Sequence, residues 1–504
     1  MTASSSKKKT ALSTQSVWVF ALFVTVLSFF TYAYNYQYPA APFWDEPYHI
    51  ASAEKYLSGV FFMEQHPPLG KMLIAFGEMI VNGNSSDSEY IGTDYATNIP
   101  DDFSYAGMRL LPTLLGWLSA IVLFSILLIF TRNAALSTIL SFLYVFDNAQ
   151  IVHSRGAMVD SPLTFFGLLT LLLVLLAVRS DSKKSQKLIL FSLLAGASFG
   201  AVMTTKLVGL IFILAFVWGL WMLRKNYMRC LLFTAGSLVG FVIVFISVWH
   251  LHFSLGTTIE PRLSNEGFYH SSEEAKSMLV AGTSGTWQAF PTMLADAMAY
   301  VPYYSKGVPK LDLCKDHENG SPSFFWPIGA KTINYRWATD GEKTRYLYLV
   351  PNPVGWALGF FGVLACSAFA LCSLFLHTKL TLHMKNEMML LLAMYWGYMF
   401  AISQLDRVMY LYHYFVPLNI SYLLFAIFLL NITRVGAWTV NESRRFILAT
   451  LLALAVFLSF QYYRPFSYYK PISDENVAER AILPLWELRC AKCTRESSIL
   501  NPNS

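Results

Sequence analysis

The residues able to do chemistry in this sequence lie in a few places, and the first runs from Phe43 to Gly70. Asp45 and Glu46 stand side by side there, and His66-Pro67-Pro68-Leu69-Gly70-Lys71 closes the stretch. An adjacent pair of carboxylates can supply a general base for an attacking hydroxyl and a second group that positions a substrate. Taken alone, the pair reads more readily as the acidic skin of a loop. The prolines are more specific. They stiffen the backbone and hold the residue before them extended, so His66 is presented in a fixed direction and a helix is expected from Lys71.

Cations follow at Arg109, Arg155, Lys206 and Arg407. Arginine suits bidentate phosphate contacts and lysine acts as a point charge; the competing reading is side chains that snorkel to lipid headgroups. Function is favoured for Arg109 and Arg155, which have polar neighbours, and the two readings stay level for Lys206 and Arg407. Asp147 and His252 join the candidate substrate-binding set. His413 lies between Tyr412 and Tyr414 at a helix mouth, placed to bond a phosphate or a hydroxyl, while the tyrosines read as an interfacial belt. A carboxylate base, several cations and a membrane-embedded chain together suit a substrate whose phosphate is linked to lipid. No Gly-rich phosphate loop points to a soluble nucleotide sugar.

Long apolar helices must position these groups. Of 504 residues 55% are hydrophobic and only 13% charged, against about 25% charged in soluble domains. Apolar runs of the length that crosses a hydrocarbon core recur along the chain. The expected fold is an all-α polytopic membrane protein of about eleven transmembrane helices. An external loop covers residues 35–108 and a longer one 251–353. The three lysines from Lys7 to Lys9 precede the first apolar segment, which reads as an uncleaved helix with a cytoplasmic N-terminus. Arg132, Arg179 and Arg224 mark later cytoplasmic turns. With that threading Asp45, Glu46, His66, Arg109, Asp147, Arg155, Lys206, His252, Arg407 and His413 all fall on or just inside the external face. Ionisable groups are costly at a bilayer, and their gathering marks a site. The net charge of +6 is explained by orientation, not by nucleic acid. Of six cysteines, Cys490 and Cys493 form a lone C-x-x-C, too little for a zinc site and better read as a local disulfide in an oxidising compartment.

At these residues the chain resembles the protein O-mannosyltransferases of the glycosyltransferase C superfamily. The likeness is carried by Phe43-Trp44-Asp45-Glu46, the His66–Lys71 stretch and Gly107-Met108-Arg109-Leu110-Leu111-Pro112. It continues through Asp147-Asn148, Ser154-Arg155-Gly156, His252-Phe253, Asn352-Pro353 with Trp356, and Tyr412-His413-Tyr414-Phe415 with Pro417. These keep family order over most of the chain. The resemblance implies an inverting, metal-independent enzyme without a cofactor. Such an enzyme moves mannose from polyprenyl- or dolichyl-phosphate mannose to Ser or Thr hydroxyls of proteins. It places the catalytic aspartate at Asp45, with Glu46 beside it to orient acceptor or sugar. Arg109, Arg155 and His413 are then expected to hold the lipid phosphate, with His66, Asp147, His252 and Arg407 also on the substrate. Implied partners are the lipid-linked donor, an acceptor protein and membrane lipid; a dimer is compatible, and nucleic acid has no place. The implied location is a bacterial inner or plasma membrane with an external site, or alternatively the endoplasmic reticulum membrane.

The 251–353 loop is too short for the β-trefoil domain of the eukaryotic enzymes, which favours a compact form, and Ala357 stands where the family has a second tryptophan after Trp356. The expected divisions are a catalytic transmembrane module over 1–250, an external domain over 251–353, a second transmembrane module over 354–461 and an external tail over 462–504. Two alternatives stand beside this reading. One is a lipid-directed glycosyltransferase of the aminoarabinose transferase type, from which the His-Pro-Pro-Leu-Gly-Lys form leans away. The other is a transporter of polyprenyl-linked sugars, which would show internal repeats and midplane charges in broken helices.

Overall fold

The computed structural model describes residues 14–84, 94–181, 185–261, 266–315, 318–341, 343–375 and 383–489; the Cys490–Cys493 pair lies outside them. Helix α1 (Thr14–Ser28) runs into a π turn at Phe29–Ala33. The first loop holds α2 (Glu46–Leu57) and α3 (Leu69–Val81). Helix α3 begins two residues earlier than expected because Pro68 takes its N-cap position with helical backbone angles. Five helices return through the bundle: α4 (Tyr105–Thr131), α5 (Ala134–Val145), α6 (Asn148–Ser154), α7 (Asp160–Arg179) and α8 (Ser185–Met203). A 3₁₀ turn leads into α9 (Ile213–Leu223), and α10 (Tyr227–Leu255) follows.

Among the described residues eight helices are long and apolar enough to cross a membrane, nine if α5 and α6, bent by 67° at their junction, count as one. The chain is a polytopic, mostly helical membrane protein. The other two expected spans are helical as well: the apolar 207–223 segment is shorter, and the second is α15, below. Small residues let neighbours close up, as van der Waals packing in lipid requires. A Cβ on Gly240 would lie 2.8 Å from the Ala197 backbone nitrogen, and one on Gly107 would lie 2.6 Å from Glu78 Cα. So α10 packs on α8, and α4 on α3, backbone to backbone.

Residues 256–352 are more ordered than a plain loop. They hold α11 (Glu266–His270), α12 (Glu273–Val280), α13 (Phe290–Gly307) and a hairpin of β1 (Ile333–Asp340) and β2 (Lys343–Leu349). The hairpin departs from an all-α expectation for a local reason. Its strands are rich in aromatic and β-branched residues, which suit a pleated surface, and Gly341 supplies the left-handed φ of 61° in the turn. Next come α14 (Pro353–Phe375), α15 (Lys385–Ser403), α16 (Phe415–Asn431), the two-residue strands β3 (Arg434–Val435) and β4 (Trp438–Thr439), and α17 (Glu442–Ser467). Beyond α17 the chain folds back. Strand β5 (Pro471–Ile472) pairs with β2, giving a sheet ordered β1-β2-β5, and α18 (Asp474–Arg480) follows. Trp486 is buried with Tyr346, Tyr348, Tyr463 and Phe466.

The bundle has two ends of different chemistry. At one, Arg179 pairs with Glu387 at 2.6 Å and Arg229 bonds the Ser180 carbonyl at 3.0 Å. At the other, the starts of α2, α4, α7 and α16 and the ends of α6 and α8 converge with the hairpin, and the candidate site lies there.

Candidate active site

Asp45 occupies the N-cap of α2 and follows Trp44, whose φ of 51° is left-handed. That conformation is costly for a bulky residue and persists only where the surroundings enforce it. The surroundings do so through Glu46. Its carboxylate is fully buried and accepts from the Phe43 N–H at 3.0 Å and the Ala157 N–H at 2.8 Å. Arg109 adds a fork, Nε to Oε1 at 2.6 Å and Nη2 to Oε2 at 2.7 Å. The remaining Arg109 donors go to the carbonyls of Gln37, Pro39 and Ala41, and its guanidinium lies between the rings of Phe43 and Tyr105. His49, which burial takes down to about 3, keeps a neutral ring that donates from Nδ1 to the Ala157 carbonyl at 2.6 Å.

Four expected substrate contacts are therefore occupied otherwise. Glu46 and Arg109 satisfy each other inside the protein, so neither is free to orient sugar or hold phosphate. Arg155 is buried and spends its guanidinium on the carbonyls of Tyr34 at 2.9 Å and Asn35 at 2.7 Å, against the Tyr468 ring. Asp147 is fully buried too. It caps α6 through the Gln150 N–H at 2.7 Å and accepts from Trp356 Nε1 at 2.6 Å and the Tyr422 hydroxyl at 2.8 Å. A carboxylate or guanidinium out of water needs every partner the fold can offer, and these groups have found theirs in backbone and aromatic side chains.

What surrounds Asp45 comes from elsewhere in the chain. The Tyr412 hydroxyl donates to Asp45 Oδ2 at 3.1 Å. His153 stacks on the Tyr412 ring with centroids 4.8 Å apart and the Lys206 ammonium sits 5.4 Å from that ring's centroid. Asp160 joins the two, accepting from Lys206 at 2.8 Å and lying 3.1 Å from His153 Nε2. The other His153 nitrogen meets the Tyr335 hydroxyl of β1 at 2.6 Å. Burial pushes the Asp45 carboxyl above its ordinary value, opposed by His153, the Tyr412 hydrogen bond and Lys206. A half-buried carboxylate with a raised pKa suits proton abstraction from a hydroxyl.

His66 is half-buried, and burial together with the Lys206 and Arg407 cations keeps its ring neutral, well below the ordinary histidine range. Arg407 donates to Gln65 Oε1 at 3.1 Å, and its Nε is buried with no partner. His413 is buried with Nδ1 3.0 Å from the Tyr410 carbonyl and its ring near Trp326. His252, bonded to the Tyr56 hydroxyl at 2.7 Å, lines a small hollow together with His66 and Glu64. Among the described residues no three His, Cys, Asp or Glu side chains converge as metal ligands.

A family model described as dolichyl-phosphate-mannose-protein mannosyltransferase matches residues 22–257, and one described as the C-terminal four TMM region of protein-O-mannosyltransferase matches 306–486. The chain belongs to the protein O-mannosyltransferase family. Dolichyl-phosphate-mannose--protein mannosyltransferase 1 of Candida albicans is 32% identical over 160 residues, 32% of this chain and 18% of the relative. Protein O-mannosyl-transferase 1 of Mus musculus is 32% identical over 194 residues, 37% of this chain and 25% of the relative. The match thus spans a quarter or less of these curated relatives. In fold, the chain is similar to a chain of the Saccharomyces cerevisiae Pmt1-Pmt2 complex bound to the sugar donor. The TM-score is 0.78 at 14% identity, covering 95% of this chain and 94% of that one. ArnT from Cupriavidus metallidurans bound to undecaprenyl phosphate is more distant, with a TM-score of 0.50 at 12% identity over 91% and 77% of the two chains.

In this member of the family, then, the sequence-predicted residues divide. Asp45, His66, Arg407 and His413 gather with Lys206, and His252 lines the adjoining hollow, whereas Glu46, Arg109, Arg155 and Asp147 brace the elements behind them. His153, Asp160, Tyr335 and Tyr412 enter the site without having been singled out for it. The seven-residue step from His153 to Asp160 spans a helix end and the next helix start, and that was the only local signal available.

Proposed function

We propose that this chain transfers mannose from polyprenyl- or dolichyl-phosphate mannose to Ser or Thr hydroxyls of proteins. The observation that carries the reading is Asp45. Its carboxylate is held by Tyr412 beside the Lys206–Asp160–His153 cluster, at the end of a membrane-crossing bundle. Asp45 takes the acceptor hydroxyl proton as the oxygen bonds to mannose C1. The bond from C1 to the phosphate oxygen breaks with inversion, and its electron pair leaves on the lipid phosphate. Arg407, whose Nε is buried without a partner, and Lys206, whose ammonium has one bond to Asp160 and further hydrogens to give, stabilise that charge, with His66 and His413 as neutral neighbours. Glu46 and Arg109 are positioning residues that fix Trp44 and Asp45.

The site faces the exterior of a bacterial plasma membrane or, alternatively, the endoplasmic reticulum lumen. Basic residues at the opposite helix ends, Arg132, Arg179, Arg229, Arg444 and Arg445, support this orientation. The modules run as residues 1–250, 251–353, 354–461 and 462–504. The complex formed by Pmt1 and Pmt2 supports a dimer here.

Membranes carrying the wild type or Asp45→Asn, given labelled polyprenyl-phosphate mannose and a Ser/Thr peptide, test the reading. Peptide label from the wild type only is expected, with a loss in Asp45→Asn of about 10²–10⁴ in rate and unchanged thermal stability. Label recovered in lipid instead overturns it.

A further inference from the structure

Trp44 has features that base positioning alone does not require. Its Nε1 is buried without a hydrogen-bond partner, although a buried indole N–H ordinarily finds one. Its ring stacks on Tyr335 with centroids 5.2 Å apart and meets Tyr410 edge-on at 5.4 Å. The left-handed backbone at Trp44 directs this side chain while placing Asp45 next to it. On the open side of Asp45, Tyr48 and Tyr95 meet edge-on at 4.6 Å and remain 46% and 39% exposed. The Ala96 N–H bonds the Pro47 carbonyl at 3.2 Å, which fixes that pair beside the start of α2. Two neighbouring tyrosines left this exposed next to a base, with a buried donor awaiting an acceptor, describe a prepared surface.

We infer that Trp44, Tyr48, Tyr95 and Tyr410 form the cradle for the acceptor polypeptide, with the Trp44 indole N–H donating to a peptide carbonyl beside the reacting Ser or Thr. Peptide and sugar belong on different sides of Asp45. The cations suited to a lipid phosphate, Lys206 and Arg407, belong with His66 and Tyr412, and Lys206 is buried. Tyr48, three residues on from Asp45, and Tyr95 are exposed to water, the phase from which a protein acceptor arrives. An aromatic rim takes extended polypeptide of varied sequence by stacking and apolar contact, and the single directed N–H sets its register.

This rests on the mannosyl-transfer reading, and the test separates the two. In membranes carrying the full chain, initial rates are measured with peptide varied at saturating donor and with donor varied at saturating peptide. Trp44→Phe keeps an aromatic ring and removes the N–H. Its peptide KM is expected to rise about tenfold, the equivalent of one hydrogen bond, with donor KM unchanged. Tyr95→Ala, at an exposed position where folding is not at stake, is expected to raise peptide KM about threefold and again leave donor KM alone. A rise in donor KM with constant peptide KM assigns the N–H to the sugar and overturns the cradle, as does no shift in either variant. Absence of peptide label from the wild type overturns the transfer reading and the cradle with it.

Discussion

Asp45 is one carboxylate pulled in two directions. Burial favours its neutral form, while Tyr412, His153 and Lys206 favour the charged one. In the proposed transfer only the charged form can take the acceptor proton, so turnover is expected to fall as pH drops through the raised pKa of this group. Tyr412→Phe deletes a hydrogen bond that holds the pKa down. The acid limb of the kcat/KM profile is therefore expected to move to higher pH in that variant, and a profile superimposable on the wild type would remove Tyr412 from the base's environment. The Asp-Glu pair was visible in the sequence, but its two members could not be told apart there. Adjacent positions at a helix start point in different directions, so one carboxylate enters the site and the other enters the core. Charge seen in one dimension does not reveal whether the partner is a substrate or an arginine 63 residues away.

Among elements, the Glu46–Arg109 fork joins α2 to α4, and the Ala157 N–H draws in the turn before α7. Removing one charge leaves the other buried and unpaired, which costs about 3–5 kcal/mol. Glu46→Gln is expected to lower thermal stability in detergent clearly, whereas a phosphate- or sugar-binding role predicts unchanged stability with raised donor KM. Denaturation curves with and without donor distinguish the two. The helices themselves were legible because a run of apolar residues near 20 long has few other readings. The break between α5 and α6 was not, since Asp147 read as a substrate-binding group near the external face and is a cap buried between helices. The hairpin was hidden for the opposite reason: a few alternating residues within a hundred polar and aromatic ones give little signal, and their burial against α17 and Trp486 depends on chain far downstream.

Across the whole molecule, buried polar groups tie the two halves of the bundle together. Asp147 accepts from Trp356 of α14 and Tyr422 of α16; Asn352 donates to the carbonyls of Phe146 and Val456; Asn148 donates to Ser467 at 2.9 Å. Such bonds specify one arrangement where apolar helix faces alone would tolerate several. Asn352→Leu orphans two carbonyls and introduces bulk at a fully buried site. It is expected to cost about 2–4 kcal/mol and to split thermal unfolding into two transitions as the halves uncouple, which calorimetry would resolve.

The sheet ordered β1-β2-β5 sets a timetable for synthesis. Asp45 emerges from the ribosome early, within the first tenth of the chain. Tyr412 follows far later, and Tyr335 sits on a hairpin whose outer strand and Trp486 plug come last of the described residues. A nascent chain thus carries Asp45 long before Asp45 has surroundings. On the proposed reading, the site is completed in one late event, when residues 471–486 reach the sheet, and a chain stopped short of that point carries a base without a working site.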